Sequence, residues 1–236
     1  MLPRVPGAER MDEPDQDPDE LARSLADLRD VNRWLGGARV VLHHLGRLIA
    51  RHPRPSYRVL DVATGSGDIP LRVAAWARRR GLAMEIVATD NHPTTLALAE
   101  RHTAAEPAVR VRAADALGLA FADAEFDFAL CSTALHHFDE MDDAIRVLRE
   151  LHRVSSIGWI VNDLSRSRPA LLGARLLAAT VWRRHPVTAH DGPLSVRRSF
   201  TADELRALAS AAGIAGATVH RHVPFRLALV CEKARA

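Results

Sequence analysis

The densest chemistry in the sequence lies in Val59-Leu-Asp-Val-Ala-Thr-Gly-Ser-Gly-Asp68, where Gly65 and Gly67 stand between two carboxylates, Asp61 and Asp68. A glycine turn between a strand and a helix lets a ligand approach the backbone closely, and a helix N-terminus there normally holds phosphate through its free N–H groups. Two carboxylates at that turn would repel phosphate. They suit a ligand that carries an ammonium and a sulfonium and no phosphate. Asp90 follows Gly67 by 23 positions, where an acid can take both hydroxyls of a ribose. Asp115 comes after the next strand and can accept from an adenine amino group. The dinucleotide fingerprint requires a third glycine three residues after the second; that position is Pro70, so the fingerprint fails.

A second set of residues could handle a proton. His136, His137 and His190 are candidate catalytic groups, because a neutral imidazole can take or orient a proton near neutral pH. Each has a plainer reading: His136 or His137 packed beneath the ligand with its neighbour solvated, and His190-Asp191 in a polar loop beside Gly192-Pro193. Asp163 either joins this set or caps a helix. Arg197 and Arg198 either bind an acidic or phenolate group or form a solvated pair. No metal is expected, since the fourth strand ends in Cys131-Ser132 rather than in acids.

These residues need elements to position them. Arg58–Val62, Met84–Thr89, Ala108–Arg112, Phe126–Cys131 and Ile157–Val161 read as strands. Helices at Asp68–Arg80, Pro93–His102 and Met141–Arg153 fall between them. That alternation predicts a doubly wound α/β fold. Two more strands are expected near Ala217–Val223 and Phe225–Cys231, after a helix at Ala202–Ala212 capped by Thr201 with Glu204. Ahead of the sheet, Glu20–Asp30 and Gly37–Arg51 read as helices, with a break at Asn32–Gly37. Pro169–Trp182 reads as a helix apolar on most sides, to be buried in the core or closed as a lid over an apolar ligand, with Asn32–Gly37 as hinge. His185–Ser199 reads as a loop. The expected organisation is a loose acidic leader over 1–19, a helical cap over 20–55 and a ligand-binding domain over 56–236. Met11 is an alternative start to Met1.

Composition narrows the function classes. The 236 residues are 47% hydrophobic, enough for a sizeable core, and only 5% aromatic, which disfavours a platform for stacking nucleic-acid bases. Six of the 29 acids fall between Asp12 and Glu20, so the remainder is basic; scattered among acids, those arginines read first as a solvated surface. Two cysteines make no disulfide framework, and no run of about 18 apolar residues is present. A soluble cytoplasmic protein is expected.

On these residues the chain resembles the class I S-adenosylmethionine-dependent methyltransferases. Leu60–Ile69 looks most like the glycine motif of the ubiquinone/menaquinone C-methyltransferase-like branch. Phe126–Phe138, with its Leu-His-His element, looks like that superfamily's fourth-strand motif. The resemblance implies a Rossmann-like, mostly parallel seven-stranded sheet with helices on both faces, its last strand antiparallel. It implies that Asp61 and Ala63, Thr64, Gly65, Ser66 and Gly67 face the methionyl part of S-adenosylmethionine. Asp90 and Asn91 would hold the ribose, Asp115 and Ala116 the adenine, and Cys131 the floor below the sulfonium. The acceptor is expected to be a small molecule, aromatic, phenolic or quinone-like, methylated on oxygen or carbon, with no nucleic-acid partner and no stable membrane insertion. After the fifth strand, Asn162-Asp163 and the His185–Ser199 segment match no quinone-site pattern. A nucleotide-fold oxidoreductase and a non-catalytic S-adenosylmethionine-binding module are the alternatives.

Overall fold

The computed structural model describes residues 2–13 and 15–234; Met1 lies outside them. Two helices come first, α1 (Pro18–Trp34) and α2 (Gly37–Arg51). The Asp17 carboxylate caps α1 by accepting from the N–H groups of Asp19 and Glu20, and Pro18 fits its first turn. The chain then alternates through β1 (Ser56–Val62), α3 (Asp68–Arg78), β2 (Ala83–Asp90), α4 (Pro93–Thr103), β3 (Val109–Ala113), β4 (Phe126–Ser132), α5 (Met141–Val154) and β5 (Ser155–Leu164). Three helices follow, α6 (Arg168–Ala179), α7 (Pro186–Arg198) and α8 (Ala202–Ala211), and then β6 (Thr218–His222) and β7 (Arg226–Glu232).

The strands form one seven-stranded sheet in the order β3-β2-β1-β4-β5-β7-β6, with β7 antiparallel to both neighbours. Chain order reverses between β1 and β4, which pair in parallel from Val59–Phe128 to Val62–Cys131. The loops leaving these two strands diverge there and open a crevice beyond the carboxyl ends. Helices α5 and α8 cover one face, burying Leu148, Leu151 and Leu205 against Trp159. Helices α2 and α3 cover the other, burying Val41, Leu45, Leu48 and Val73. The α2 stripe explains why this helix is a sheet layer over β4, β5 and β7 and not part of a cap. Of these two leading helices, α1 is the one that reaches the crevice.

Four sequence expectations give way. The leader is not loose: from Leu2 to Asp12 it is pinned beside the crevice. The Val5 N–H donates to Arg197 O, and the Arg10 and Met11 N–H groups each donate to Asp191 at 3.0 Å. The 185–199 segment is not a loop but the helix α7. Its Gly192 is a packing requirement, because a Cβ there would lie 2.7 Å from the Trp182 ring, and Asp27 holds its start by accepting from the Thr188 hydroxyl. The break near Asn32 is not a free hinge. Asn32 is buried, its amide donates to Asp68 at 3.3 Å, and a Cβ on Gly37 would collide with it. Helix α6 is not apolar-buried all round: Ala170, Leu171 and Ala174 pack inward while Leu172 and Leu176 are 70% and 63% exposed.

Candidate active site

The glycine turn after β1 passes three residues in the left-handed region within five positions: Ala63, Gly65 and Gly67, at φ 54, 57 and 75. A Cβ at Gly67 would stand 2.6 Å from Thr103 Cγ2, so glycine is required twice over, by conformation and by space. The end of β2 props the turn. Thr64 N–H donates to Thr89 O at 2.8 Å, and Gly65 N–H donates to Asp90 Oδ2 at 3.0 Å.

Asp61 leaves β1 fully buried. Its Oδ2 accepts from the Thr64 hydroxyl at 2.6 Å, while its Oδ1 has no partner. Burial pushes this carboxyl up to about 7, and Asp68 and Asp90 add to the rise. Burial also raises Asp68 and Asp90, against the hydrogen bonds from Asn32 and from the His92 and Gly65 N–H groups. Three carboxylates held above their ordinary range around one space form a site short of positive charge. That space is a cavity of about 340 Å³, lined by Asp61, Ala63, Gly65, Asp90, Asn91, Asp115, Ala116 and the Ser132–Ala134 turn.

A second cavity, of about 320 Å³, adjoins the first; Met11, Leu28, Thr133 and His137 line both. Its walls are mainly apolar, from Val31 and Leu35 of α1, Leu177 of α6, Trp182 and Phe225. One end is polar, where Glu9, His136, His137 and Asp191 meet. The single turn Leu135–His137 after β4 presents both histidines. His136 is bonded through Nδ1 to Asp163 Oδ1 at 2.7 Å, and its own N–H donates to Asp163 Oδ2 at 3.1 Å. Its Nε2 faces Glu9 at 3.5 Å. Burial alone would lower this ring's pKa, but Asp163 and Glu9 outweigh it and hold it up at about 10. His136 is therefore an imidazolium at neutral pH, already carrying the proton that a general base would have to accept. Glu9 is held low, burial notwithstanding, by His137, His136 and Arg198. His137 Nδ1 is bonded to Asp12 at 2.7 Å.

Residues 59–158 match a family model described as a methyltransferase domain. Demethylmenaquinone methyltransferase of Thermus thermophilus is 37% identical over 102 residues, 43% of each chain. The enzyme of the same name from Deinococcus radiodurans is 36% identical over 111 residues, 47% of this chain and 42% of its own. The similarity to methyltransferases covers the strands and the glycine turn that build the first cavity. The chain's matches span under half the length of these two relatives. Among solved structures, an S-adenosylmethionine-dependent methyltransferase from Aquifex aeolicus superposes with a TM-score of 0.60 at 16% identity, covering 92% of this chain and 99% of its own. The carbon methyltransferase CurJ superposes at 0.66 with 11% identity, covering 92% and 61%. Both share the fold.

S-adenosylmethionine, on which the Aquifex aeolicus enzyme depends, fits the residues present. The unpartnered Oδ1 of Asp61 lies at a cavity ringed by carboxylates, which is the donor set a ligand with two cationic centres needs. Of the residues named from sequence, Asp61, Ala63, Thr64, Gly65, Asp90, Asn91, Asp115 and Ala116 line that cavity. Ser66 and Gly67 do not; they shape the turn from behind, where Ser66 O meets His102 Nδ1 at 2.7 Å. Cys131 lies beneath, 1% exposed and lining neither cavity, because the wall passes to Ser132, Thr133 and Ala134. His136 and His137 reach the second cavity. His190 does not: its ring is on the outer side of α7, 44% exposed and bonded to Asp191.

The wall between the cavities holds residues that sequence reading missed. Arg226, from β7, is fully buried, donates to Thr133 Oγ1 at 2.7 Å, and approaches Asn32 Oδ1 at 3.4 Å. Burial pushes its guanidinium down to about 10 despite Asp163 and Asp68. Arg198, named from sequence, lines neither cavity and is not solvated: it is buried, 3.6 Å from Glu9 and 3.3 Å from Asp139. Glu9 and Met11 gave no signal, since neither stands in a motif. A buried arginine in a closing strand was the one feature that could have flagged Arg226.

Proposed function

We propose that this protein transfers a methyl group from S-adenosylmethionine to a lipophilic small molecule with an aromatic, phenolic or quinone-like head. One observation carries the reading: an apolar cavity with a polar end lies beside the carboxylate-ringed cavity, and Met11, Leu28, Thr133 and His137 line both. The curated relatives are named for demethylmenaquinone, a quinone, which agrees with that shape.

In this reading Asp61 pairs with the ammonium of the methionyl part, Asp90 and Asn91 hold the ribose, and Asp115 and Ala116 meet the adenine. The cofactor supplies a methyl already activated on its sulfonium. The chain's own task is to align the acceptor, and good alignment is worth about 7–11 kcal/mol. Leu28, Val31, Leu177 and Trp182 hold the acceptor's apolar body and exclude water. At the polar end the His136 imidazolium, fixed by Asp163, stabilises negative charge on an acceptor oxygen. Its proton is already in place, so His136 acts as an electrostatic partner and not as the base. A cytoplasmic setting agrees with two free, buried cysteines.

The test is a methyl-transfer screen, read by mass spectrometry, over phenols and hydroquinones with alkyl tails of increasing length. Turnover should rise with tail length. Binding of S-adenosylmethionine without transfer to any of them would remove the acceptor reading. Binding of NADH in place of S-adenosylmethionine would favour the oxidoreductase.

A further inference from the structure

Seven large apolar side chains are strongly exposed among the described residues, and six of them gather at one place. Leu176 and Phe225 both line the apolar cavity and are 63% and 44% exposed, so they mark its mouth. The others adjoin lining residues. Trp34 precedes Leu35, Val181 precedes Trp182, Val223 precedes Pro224, and Leu172 lies one helical turn before Leu176. The rim is closed in space: Arg39 donates to Val223 O at 2.7 Å, and a Cβ on Gly173 would touch the Phe225 ring. A contiguous apolar patch of this kind on a protein surface marks an interaction site.

Charge says what covers it. The rim residues fall in three stretches, 33–39, 172–184 and 221–225, and none contains an Asp or Glu. Exposed arginines stand throughout them: Arg33, Arg39, Arg175, Arg183, Arg184 and Arg221. In sequence the nearest acid is Asp30, one turn before Trp34; in space Asp27 lies close by, bonded to His185 at 2.7 Å and mostly buried. Leucine and valine among arginines, without acids, favour an anionic lipid surface over a nucleic acid, which would leave the apolar groups without a partner. Among the described residues no helix is long and apolar enough to cross a membrane, and the contact proposed is with the headgroup region.

We propose that this face docks on an anionic bilayer and seats the cavity mouth against it, so that a lipophilic acceptor passes from membrane to cavity without crossing water. The proposal rests on the acceptor reading only in treating the mouth as an entrance. The docking itself needs neither cofactor nor turnover.

The test is flotation of the full chain with vesicles of phosphatidylcholine alone or with about one third phosphatidylglycerol. The chain should float with the anionic vesicles only and be released by about 0.5 M salt, where screening is short-ranged. Leu172→Glu with Val223→Glu should lower partition at least about tenfold, and Arg183→Gln with Arg184→Gln several-fold. None of these four lines either cavity, so S-adenosylmethionine affinity should be unchanged in both variants, which also reports folding. Failure of the chain to float, equal flotation on both vesicles, or wild-type flotation of the Leu172/Val223 variant each overturns the proposal. So does a dimer in solution that this variant dissociates, which would make the face a contact between copies. Flotation without methyl transfer to any phenol or quinol would instead sink the acceptor reading alone.

Discussion

Asp61→Asn separates charge from shape at the centre of the cofactor cavity. Without a ligand, Asp61 has one oxygen bonded to Thr64 and the other facing nothing, and burial holds its carboxyl near 7 against an ordinary value of about 4. Three pKa units at about 1.4 kcal/mol each put the penalty for an ionised Asp61 in the empty protein at about 4 kcal/mol. Because the folded-state value is raised, the unfolded chain loses this proton first. The contribution to stability is therefore full below about pH 4, is lost between there and about pH 7, and stays lost above. Empty wild type should become less stable by urea unfolding as pH rises from 5 to 8, and Asp61→Asn should lack that slope. Ligand binding runs the other way, since an ammonium draws on the ionised form. Calorimetric affinity for S-adenosylmethionine should rise roughly tenfold from pH 5.5 to pH 7 in wild type, and Asp61→Asn should bind weakly and without that pH dependence. Asp68 and Asp90, raised in the same direction, steepen the wild-type curve. Wild-type affinity that is flat over this range would refute both the buried, unpaired carboxylate and its pairing with a cation.

Three further outcomes follow from the geometry. Gly67→Ala should destabilise the fold by about 1–3 kcal/mol in urea, since φ is +75 and Thr103 lies 2.6 Å from the added carbon. Glu9→Gln should cost roughly 1–3 kcal/mol at pH 7 by removing one of the carboxylates that Arg198 and His136 face, Asp139 and Asp163 remaining; as the Glu9 pKa is lowered, the gap from wild type should close as pH falls from about 4 towards 2. His136→Gln should reduce kcat about 100-fold, the usual cost of losing one donor to a developing oxyanion, while His190→Gln, on the outer side of α7, should stay within about twofold.

The parts of the site legible in the sequence are those whose cause is local. The glycine turn and the acids after β1, β2 and β3 each sit within a few residues of the strand end that places them, so spacing alone located them. The parts that were not legible depend on partners far along the chain. Residues 2–12 look like a polar, proline-flanked leader, yet they are held by Asp191 and Arg198, some 180 residues later. Gly192-Pro193 looked like loop punctuation, but Gly192 is there to admit the Trp182 ring inside a helix. Asn32 looked like a hinge because it lies near a helix end; its role depends on Asp68, Thr133 and Arg226. The histidine pair was found, but not the protonation of His136, which Asp163 and Glu9 set from elsewhere in the chain.

The wall between the two cavities is built from opposite ends of the chain, with Met11 at one extreme and Arg226, on the last strand, at the other. β7 enters the sheet between β5 and β6, so its pairing with both waits until every other strand of the sheet has been made. The core strands β1 to β5 can assemble beforehand, but a nascent chain in that state has no partition between its cavities. Neither compartment has its final shape until Arg226 reaches Thr133. Contacts of such long sequence separation form slowly, because the loop entropy comes first. A bound ligand that selects the finished arrangement then holds the two ends together by mass action, so cofactor supply acts on the lifetime of the folded protein as well as on its turnover.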